Sequence, residues 1–227
     1  PKKEDGAVHY YYDIMDVDFN TGEWYILART NRILSEISDN LKREGYLFWR
    51  EGKGWSVSED NINSIQIWLQ ICKGQSLTVS QWVTFMKKVK KGFIGHGGKR
   101  KIEQLDPEKT YSLDDLFKTD LGLLLNLNEK MNWYEILNIS EKDRIYITSA
   151  RRRGEFILTK KPRIRISTIH KAKGGEADNV ALVLDCPKII KDKGDTDSEH
   201  RVFYVVATRA RKTLHIVEPK DKNGYEI

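Results

Sequence analysis

The chain has 227 residues, of which 39% are hydrophobic and 32% are charged. This composition is typical of a soluble globular protein with one core, or a core domain and a smaller subdomain, and it excludes a disordered chain. The longest apolar run, residues 180–184, is too short to span a bilayer. The formal net charge of +6 favours a polyanionic partner.

Cysteine and histidine usage gives no sign of a disulfide framework or a metal centre. Cys72 and Cys186 have no neighbouring cysteine, and the five histidines are scattered. The polar N-terminus lacks the apolar segment of a secretory signal. We therefore expect a cytoplasmic protein with no membrane partner and no metal site, whose cysteines are small buried hydrophobes.

The N-terminal third predicts the strand–helix–strand opening of an α/β domain. Residues 23–29 read as a buried strand, and residues 31–44 carry apolar side chains at helical spacing until Gly45 ends the helix. A short strand at residues 46–49 and a helix at residues 61–73 follow. The apolar positions of the first helix are Ile33, Leu34, Ile37 and Leu41.

The middle of the chain, residues 78–153, has helical patterns and few strand signals, so it predicts a helical insertion. Ser112 and Asp115 form the pattern of a capping box that opens one of its helices. Residues 87–101 are basic and glycine-rich, which predicts an exposed loop. This segment could follow a DNA backbone or could simply be a solvated charged face.

The α/β pattern returns in the last third. Residues 163–169 alternate like a strand, and residues 179–184 form a continuous apolar run suited to a central parallel strand. A helix at residues 198–208 and a final strand at residues 213–217 complete the pattern.

These patterns predict a discontinuous domain. The two α/β pieces, residues 1–77 and 154–227, would form one sheet, and residues 78–153 would interrupt it as a reduced accessory subdomain. Ligands of open α/β sheets bind beyond the carboxyl ends of the strands. Polar residues that follow the strands are therefore the candidates for a functional site.

Three segments carry such residues: ILARTN at 26–31, ISTIHKAKGGEAD at 166–178 and EHRVFYVVATRA at 199–210. In this order they resemble motifs IV, V and VI of the UvrD/Rep/PcrA-like superfamily 1 DNA helicases. The resemblance covers the α/β part and, more loosely, the helical insertion. It implies the second RecA-like domain of such a helicase, an α/β fold with a parallel sheet flanked by helices.

The resemblance implies a nucleotide-facing role for three residues. Arg29 and Arg209 would act as arginine fingers on the γ-phosphate, because a guanidinium offers a planar fork of donors. Glu176 would contact the nucleotide sugar. The alternatives are a surface ion pair for each arginine and a helix-capping acid for Glu176.

The same resemblance implies that Thr168, His170 and Lys173 contact single-stranded DNA. Small and polar residues there let a phosphate backbone approach closely. His170 could instead be a buried structural histidine. The chain also departs from its relatives in two places: Ala28 replaces an aromatic residue that stacks on adenine, and Gly175 replaces leucine.

A Walker A loop is absent from this sequence. The nearest candidate, Gly98-Lys99, has Phe93 and Arg100 where glycine and a hydroxyl residue are required. We therefore expect ATP and Mg²⁺ to be held mainly by the N-terminal RecA-like domain of the same protein, and this part alone to be inactive.

By resemblance, the full protein would be an ATP-dependent helicase that moves 3′ to 5′ on single-stranded DNA and unwinds duplex junctions. The alternative is a non-enzymatic RecA-like module that binds nucleic acid without a motor.

Overall fold

The computed structural model describes residues 6–155, 162–172, 174–185 and 196–219, with side chains omitted at 196–200. Lys173, Cys186 and the basic pair Lys160-Lys161 lie outside the described residues. Within them the chain divides into two compact units. One holds the residues up to Ser56 and from Thr148 onward, and the other holds Val57–Ile147.

The strands are β1 Ala7–Tyr11, β2 Trp24–Ala28, β3 Trp49–Arg50, β4 Gly54–Trp55, β5 Leu77–Thr78, β6 Thr110–Tyr111, β7 Ile164–Thr168, β8 Ala177–Val183 and β9 Ala210–Val217. The helices are α1 Asn31–Arg43, α2 Glu59–Ile71, α3 Val79–Lys88, α4 Gly98–Glu103, α5 Leu113–Phe117, α6 Trp133–Ile136, α7 Glu141–Arg152 and α8 Thr196–Ala207.

The first unit is built on a seven-stranded sheet with the order β1-β9-β8-β2-β7-β3-β4. Neighbouring strands are parallel except β4, which forms an antiparallel hairpin with β3. The mostly parallel sheet flanked by helices confirms the predicted RecA-like α/β class. Because a parallel sheet must be covered on both faces, its central strands contribute to two cores.

Strand β2 shows how the two cores are divided. Trp24, Ile26 and Ala28 point into the core that also contains the apolar face of α1. The alternate residues Tyr25 and Leu27 point into the opposite core, which contains Phe203 and Val206 of α8. All five residues of β2 are buried, as the predicted strand required.

Helix α1 forms as the apolar spacing predicts. Thr30 caps its N-terminus by accepting a hydrogen bond from the Ile33 amide, and Lys42 and Arg43 lie in its last turn, where they favour the helix dipole. The four predicted apolar residues are all buried. Gly45, with φ of 78°, follows the helix and makes the turn toward β3.

The second unit has a separate aromatic core. The rings of Trp68 and Phe85 stack with centroids 5.8 Å apart, and the Trp82 ring meets Phe85 edge-on. The Trp68 indole donates to the carbonyl of Met131 at 3.1 Å. Trp68 is 1% exposed, so it is a core residue. This packing places α2 with the helical unit, which begins at Val57 although the sequence predicted a boundary after residue 77.

Several elements differ from the predictions. The predicted strand at 46–49 forms at Trp49–Arg50. Its first residue, Tyr46, instead donates its amide to the carbonyl of Leu41 at the end of α1. Part of the predicted basic loop is the helix Gly98–Glu103. Strand β1 was not predicted because, as an edge strand, it carries exposed tyrosines rather than an apolar run.

The Ser112–Asp115 capping box is confirmed by reciprocal hydrogen bonds between the two side chains and backbones. Among the described residues, the helices are all too short or too polar to cross a membrane.

His215 on β9 is a buried titratable residue of the first unit. Burial, with a smaller contribution from the nearby charge of His9, lowers the pKa of His215 from 6.5 to about 4. The ring accepts or donates a 3.2 Å hydrogen bond with the Tyr11 hydroxyl, and its buried Nε2 has no partner among the described residues. The unfolded chain binds a proton below pH 6.5, but the folded chain does so only near pH 4.

We therefore predict that stability falls between pH 6.5 and pH 4, by roughly 3 kcal/mol when the shift is converted directly. The variant His215→Phe keeps an aromatic ring but cannot titrate, so its free energy of unfolding should vary less over this range. Urea denaturation at several pH values measures this. His96→Gln, at an exposed position, is the control, and equal pH dependence in all three proteins would contradict the assignment to His215.

Candidate functional site

The parallel pairing of β2 with β7 brings Arg29 and His170 to one edge of the sheet. Ala28 pairs with Thr168, so the residues that follow both strands leave the sheet at the same level. Arg29 Nη1 lies 3.4 Å from His170 Nδ1. His170 is exposed rather than a buried structural histidine. The carboxyl edge of β2 and β7 therefore places the half-buried Arg29 guanidinium beside the exposed His170 imidazole.

Backbone hydrogen bonds hold this part of the site in place. The Ile169 amide donates to the carbonyl of Ala28 at 3.0 Å, and the Lys171 amide donates to the carbonyl of Thr168 at the same distance. These bonds turn the chain sharply after β7 and fix the backbone on either side of His170. Thr168 is half-buried at the end of the strand.

Glu176 and Arg209 lie together at the other edge of the sheet. Glu176 directly precedes β8 and Arg209 directly precedes β9, whose first residues, Ala177 and Ala210, are register partners. The Ala177 amide donates to the carbonyl of Arg209 at 3.3 Å. Glu176 is exposed and precedes a strand, so it is not a helix-capping acid.

The register separates the two arginines that the sequence assigned to one phosphate. Ala28, just before Arg29, pairs with Val183, which lies seven residues beyond Glu176 on β8. At about 3.3 Å per residue, the two edges are about 23 Å apart along the strands. Within this domain, the backbone of Arg29 lies at the same edge of the sheet as that of His170. The backbone of Arg209 lies at the opposite edge, beside that of Glu176.

The Arg209 side chain turns back along α8. Its Nε donates to the carbonyl of Val205 at 2.9 Å. No carboxylate among the described side chains lies within ion-pair distance, so the surface ion pair offered as the alternative is not observed. A cavity of about 320 Å³ lies between this face of α8 and the turn after β7. Its lining is Ile169, His170, Ala172, Arg201, Val202, Val205, Val206 and Arg209.

Two residues that the sequence analysis missed hold the chain at Glu176, just before β8. The Arg165 guanidinium lies 4.6 Å from the centre of the Tyr25 ring and donates to the carbonyl of Glu176 at 2.6 Å. Burial raises the pKa of Tyr25, so its hydroxyl stays neutral. The available signal was a charged residue, Arg165, placed between two buried isoleucines of β7.

The same ring explains why Gly175 stands where relatives have leucine. A Cβ atom at Gly175 would lie 2.6 Å from Cε1 of Tyr25. The Gly175 amide also donates to the carbonyl of Ala172 at 3.0 Å, which draws the segment against the sheet. The Tyr25 ring therefore occupies the space that a side chain at residue 175 would need.

Other basic residues are engaged in the fold. The Arg153 guanidinium lies 4.1 Å from the centre of the Tyr46 ring and donates to Asn20 Oδ1 at 2.7 Å. In the helical unit, Lys90 Nζ donates to the carbonyls of Tyr134 and Glu135 at 3.0 and 2.7 Å. These contacts orient the two cations within the fold, and because these acceptors are neutral they leave the charges in place.

The fold and the arrangement of these residues define a RecA-like α/β domain whose polar residues lie at both edges of a parallel sheet. The family described as the UvrD-like helicase C-terminal domain matches residues 99–220, more than half of the chain. The chain belongs to this family. A comparison with curated proteins found no match.

We predict that Gly175→Ala destabilises the first unit by about 1–3 kcal/mol, because the added methyl group overlaps the Tyr25 ring. Chemical denaturation measures this loss. Gly92→Ala, where a Cβ would meet nothing within 4 Å, is the matched control. Combining Gly175→Ala with Tyr25→Ala should cost less than the sum of the two single changes. If the stability losses of the two single changes simply add, the Tyr25 ring is not what excludes a side chain at residue 175.

Proposed function

We propose that the chain is the C-terminal motor domain of an ATP-dependent DNA helicase. In this proposal the domain binds single-stranded DNA at the carboxyl edge of β2 and β7 and completes the ATP site from the amino edge of β8 and β9. The observation that carries the proposal is the register, which places the backbones of the motif residues at two edges of the sheet, although His170 and Arg209 line one cavity along the face between them. Movement 3′ to 5′ and action at duplex junctions follow from the resemblance to UvrD, Rep and PcrA.

The DNA-facing group comprises Arg29, Thr168 and His170, with Lys173 assigned by sequence alone. The exposed imidazole of His170 and the half-buried polar groups of Arg29 and Thr168, at the ends of two strands, suit the phosphates of a single strand. Binding through such contacts releases counterions, so affinity should fall as salt rises. This proposal assigns Arg29 to the nucleic acid, and its predicted role as an arginine finger at the nucleotide is the alternative that the experiments below test.

The nucleotide-facing group comprises Glu176 and Arg209. ATP and Mg²⁺ would be held mainly by the N-terminal RecA-like domain, because this chain has no Walker A loop. Arg209 would supply positive charge to the γ-phosphoryl oxygens as they gain negative charge, and Glu176 would accept from the sugar hydroxyls. The hydrogen bond to Val205 holds the Arg209 guanidinium in one orientation.

The two groups predict separable defects in the full-length helicase. Arg29→Ala should weaken single-stranded DNA binding about tenfold and reduce its salt dependence. Arg209→Ala should leave nucleotide-free DNA binding nearly intact and slow ATP hydrolysis by roughly 10³ to 10⁵. Arg209→Lys should rescue only in part, because an ammonium lacks the planar fork. DNA titrations and steady-state ATPase assays on the same preparations measure both effects.

Arg32→Ala is the matched control, because Arg32 is exposed on α1 near Arg29 but pairs with Glu36 at 3.5 Å. A destabilised Arg209→Ala protein with normal turnover per folded molecule would show that Arg209 supports the fold only. If Arg29→Ala impairs ATP hydrolysis and leaves DNA binding unchanged, Arg29 acts at the nucleotide site instead.

A further inference from the structure

A second cavity of the α/β unit, of about 390 Å³, lies between α1 and the β3–β4 hairpin. It is separate from the groove beside α8, and none of the motif residues lines it. The walls are Ser35, Ser38, Asp39, Lys42, Phe48, Arg50, Lys53, Gly54, Trp55 and Ser56. Three of these side chains are cationic and one is anionic, so the cavity has a net positive charge.

Arg50 is the unusual member of this wall, because it is a charged residue that is only 6% exposed. Its Nη1 donates to Ser35 Oγ at 3.1 Å and to Ser38 Oγ at 3.4 Å. Its Nη2 donates to the backbone and side-chain oxygens of Asn31, at 3.0 and 3.3 Å. Every one of these acceptors is neutral, so the hydrogen bonds orient the guanidinium without cancelling its charge.

Buried charges in proteins are usually paired. No carboxylate among the described side chains lies within ion-pair distance of Arg50. Burial lowers the pKa of Arg50, and the exposed Asp39 opposes this effect from a distance. The guanidinium nevertheless remains charged, because its ordinary pKa is far above neutrality. An anion in the cavity would supply the missing counter-charge.

The other walls fit the same ligand. Lys53 is exposed on the hairpin and can bond directly to an anion that enters from solvent. Ser38 and Ser35 already donate their protons to helix carbonyls, so their hydroxyls hold Arg50 rather than the ligand. Trp55 forms one side of the cavity and meets Trp49 edge-on, with ring centroids 6.0 Å apart. An indole beside a cationic site could stack on a base or a sugar.

We propose that this cavity is a phosphate-binding site, in which Lys53 contacts the phosphate oxygens and Arg50 supplies buried positive charge behind them. The phosphate belongs either to a nucleic-acid backbone or to a free phosphate or mononucleotide. The site goes beyond the proposed helicase function and does not depend on it, because it uses none of Arg29, Thr168, His170, Glu176 or Arg209.

Thermal unfolding of the chain in increasing sodium phosphate, against sodium chloride at equal ionic strength, tests the site. A ligand that binds the folded state alone raises the melting temperature as its concentration rises. Lys53→Gln should weaken the phosphate affinity about tenfold or more, because it removes a charge-assisted hydrogen bond. Lys130→Gln, which changes an exposed lysine of the helical unit, is the matched control.

A parallel titration with a short thymidine oligonucleotide identifies the source of the phosphate. Oligonucleotide affinity that falls in Lys53→Gln assigns the cavity to the nucleic-acid backbone, and a loss confined to inorganic phosphate or AMP assigns it to a free ligand. His170→Ala should impair only the proposed DNA edge and leave phosphate binding at the cavity unchanged. If neither phosphate nor the oligonucleotide binds, the proposal is overturned. It is also overturned if Lys53→Gln and Lys130→Gln bind these ligands equally well.

Discussion

The parallel pairing of β2 with β7 on one side and β8 on the other is the constraint on which the rest of this domain depends. It fixes the level at which each motif leaves the sheet, because Ala28 is opposite both Thr168 and Val183. A strand has little freedom to slip, since a shift of one residue would exchange the two buried faces of β2. The positions of Arg29 and His170 at one edge and of Glu176 and Arg209 at the other follow from that register.

The end of the segment between the two edges, at Gly175 and Glu176, is tied to the sheet. Arg165 reaches from β7 over the Tyr25 ring to the carbonyl of Glu176, while Gly175 lies against the same ring. This segment joins the edge that carries Arg29 and His170 to the edge that carries Glu176 and Arg209. Arg165 makes a cation–π contact with Tyr25 and a hydrogen bond to Glu176, and Gly175 packs so closely on Tyr25 that a side chain would not fit.

Sequence patterns were sufficient for the elements with strong periodicity and insufficient for those decided by tertiary contacts. The spacing of Ile33, Leu34, Ile37 and Leu41 predicted α1, and the run after Asn179 predicted most of β8. Edge strand β1 carries exposed tyrosines and gave no such signal.

The residues of the candidate site were chosen from the sequence and stay predictions, and the structure adds where their backbones lie in the sheet. Local motifs identify Arg29 and Arg209 as polar residues at strand or helix ends, but only the strand register shows that about 23 Å separates those ends. The burial of Arg50 could not be predicted from the sequence either, because it arises from the packing of α1 and the β3–β4 hairpin around this residue.

The central claim is that the two edges of one sheet have different ligands. Backbone NMR of the chain with and without a single-stranded oligonucleotide tests it most directly, since each amide reports its own surroundings. The account predicts chemical-shift changes that are concentrated at residues 28–31 and 168–172, with little change at Glu176 and Arg209. Changes centred on Glu176 and Arg209, with none near Arg29 and His170, would contradict it.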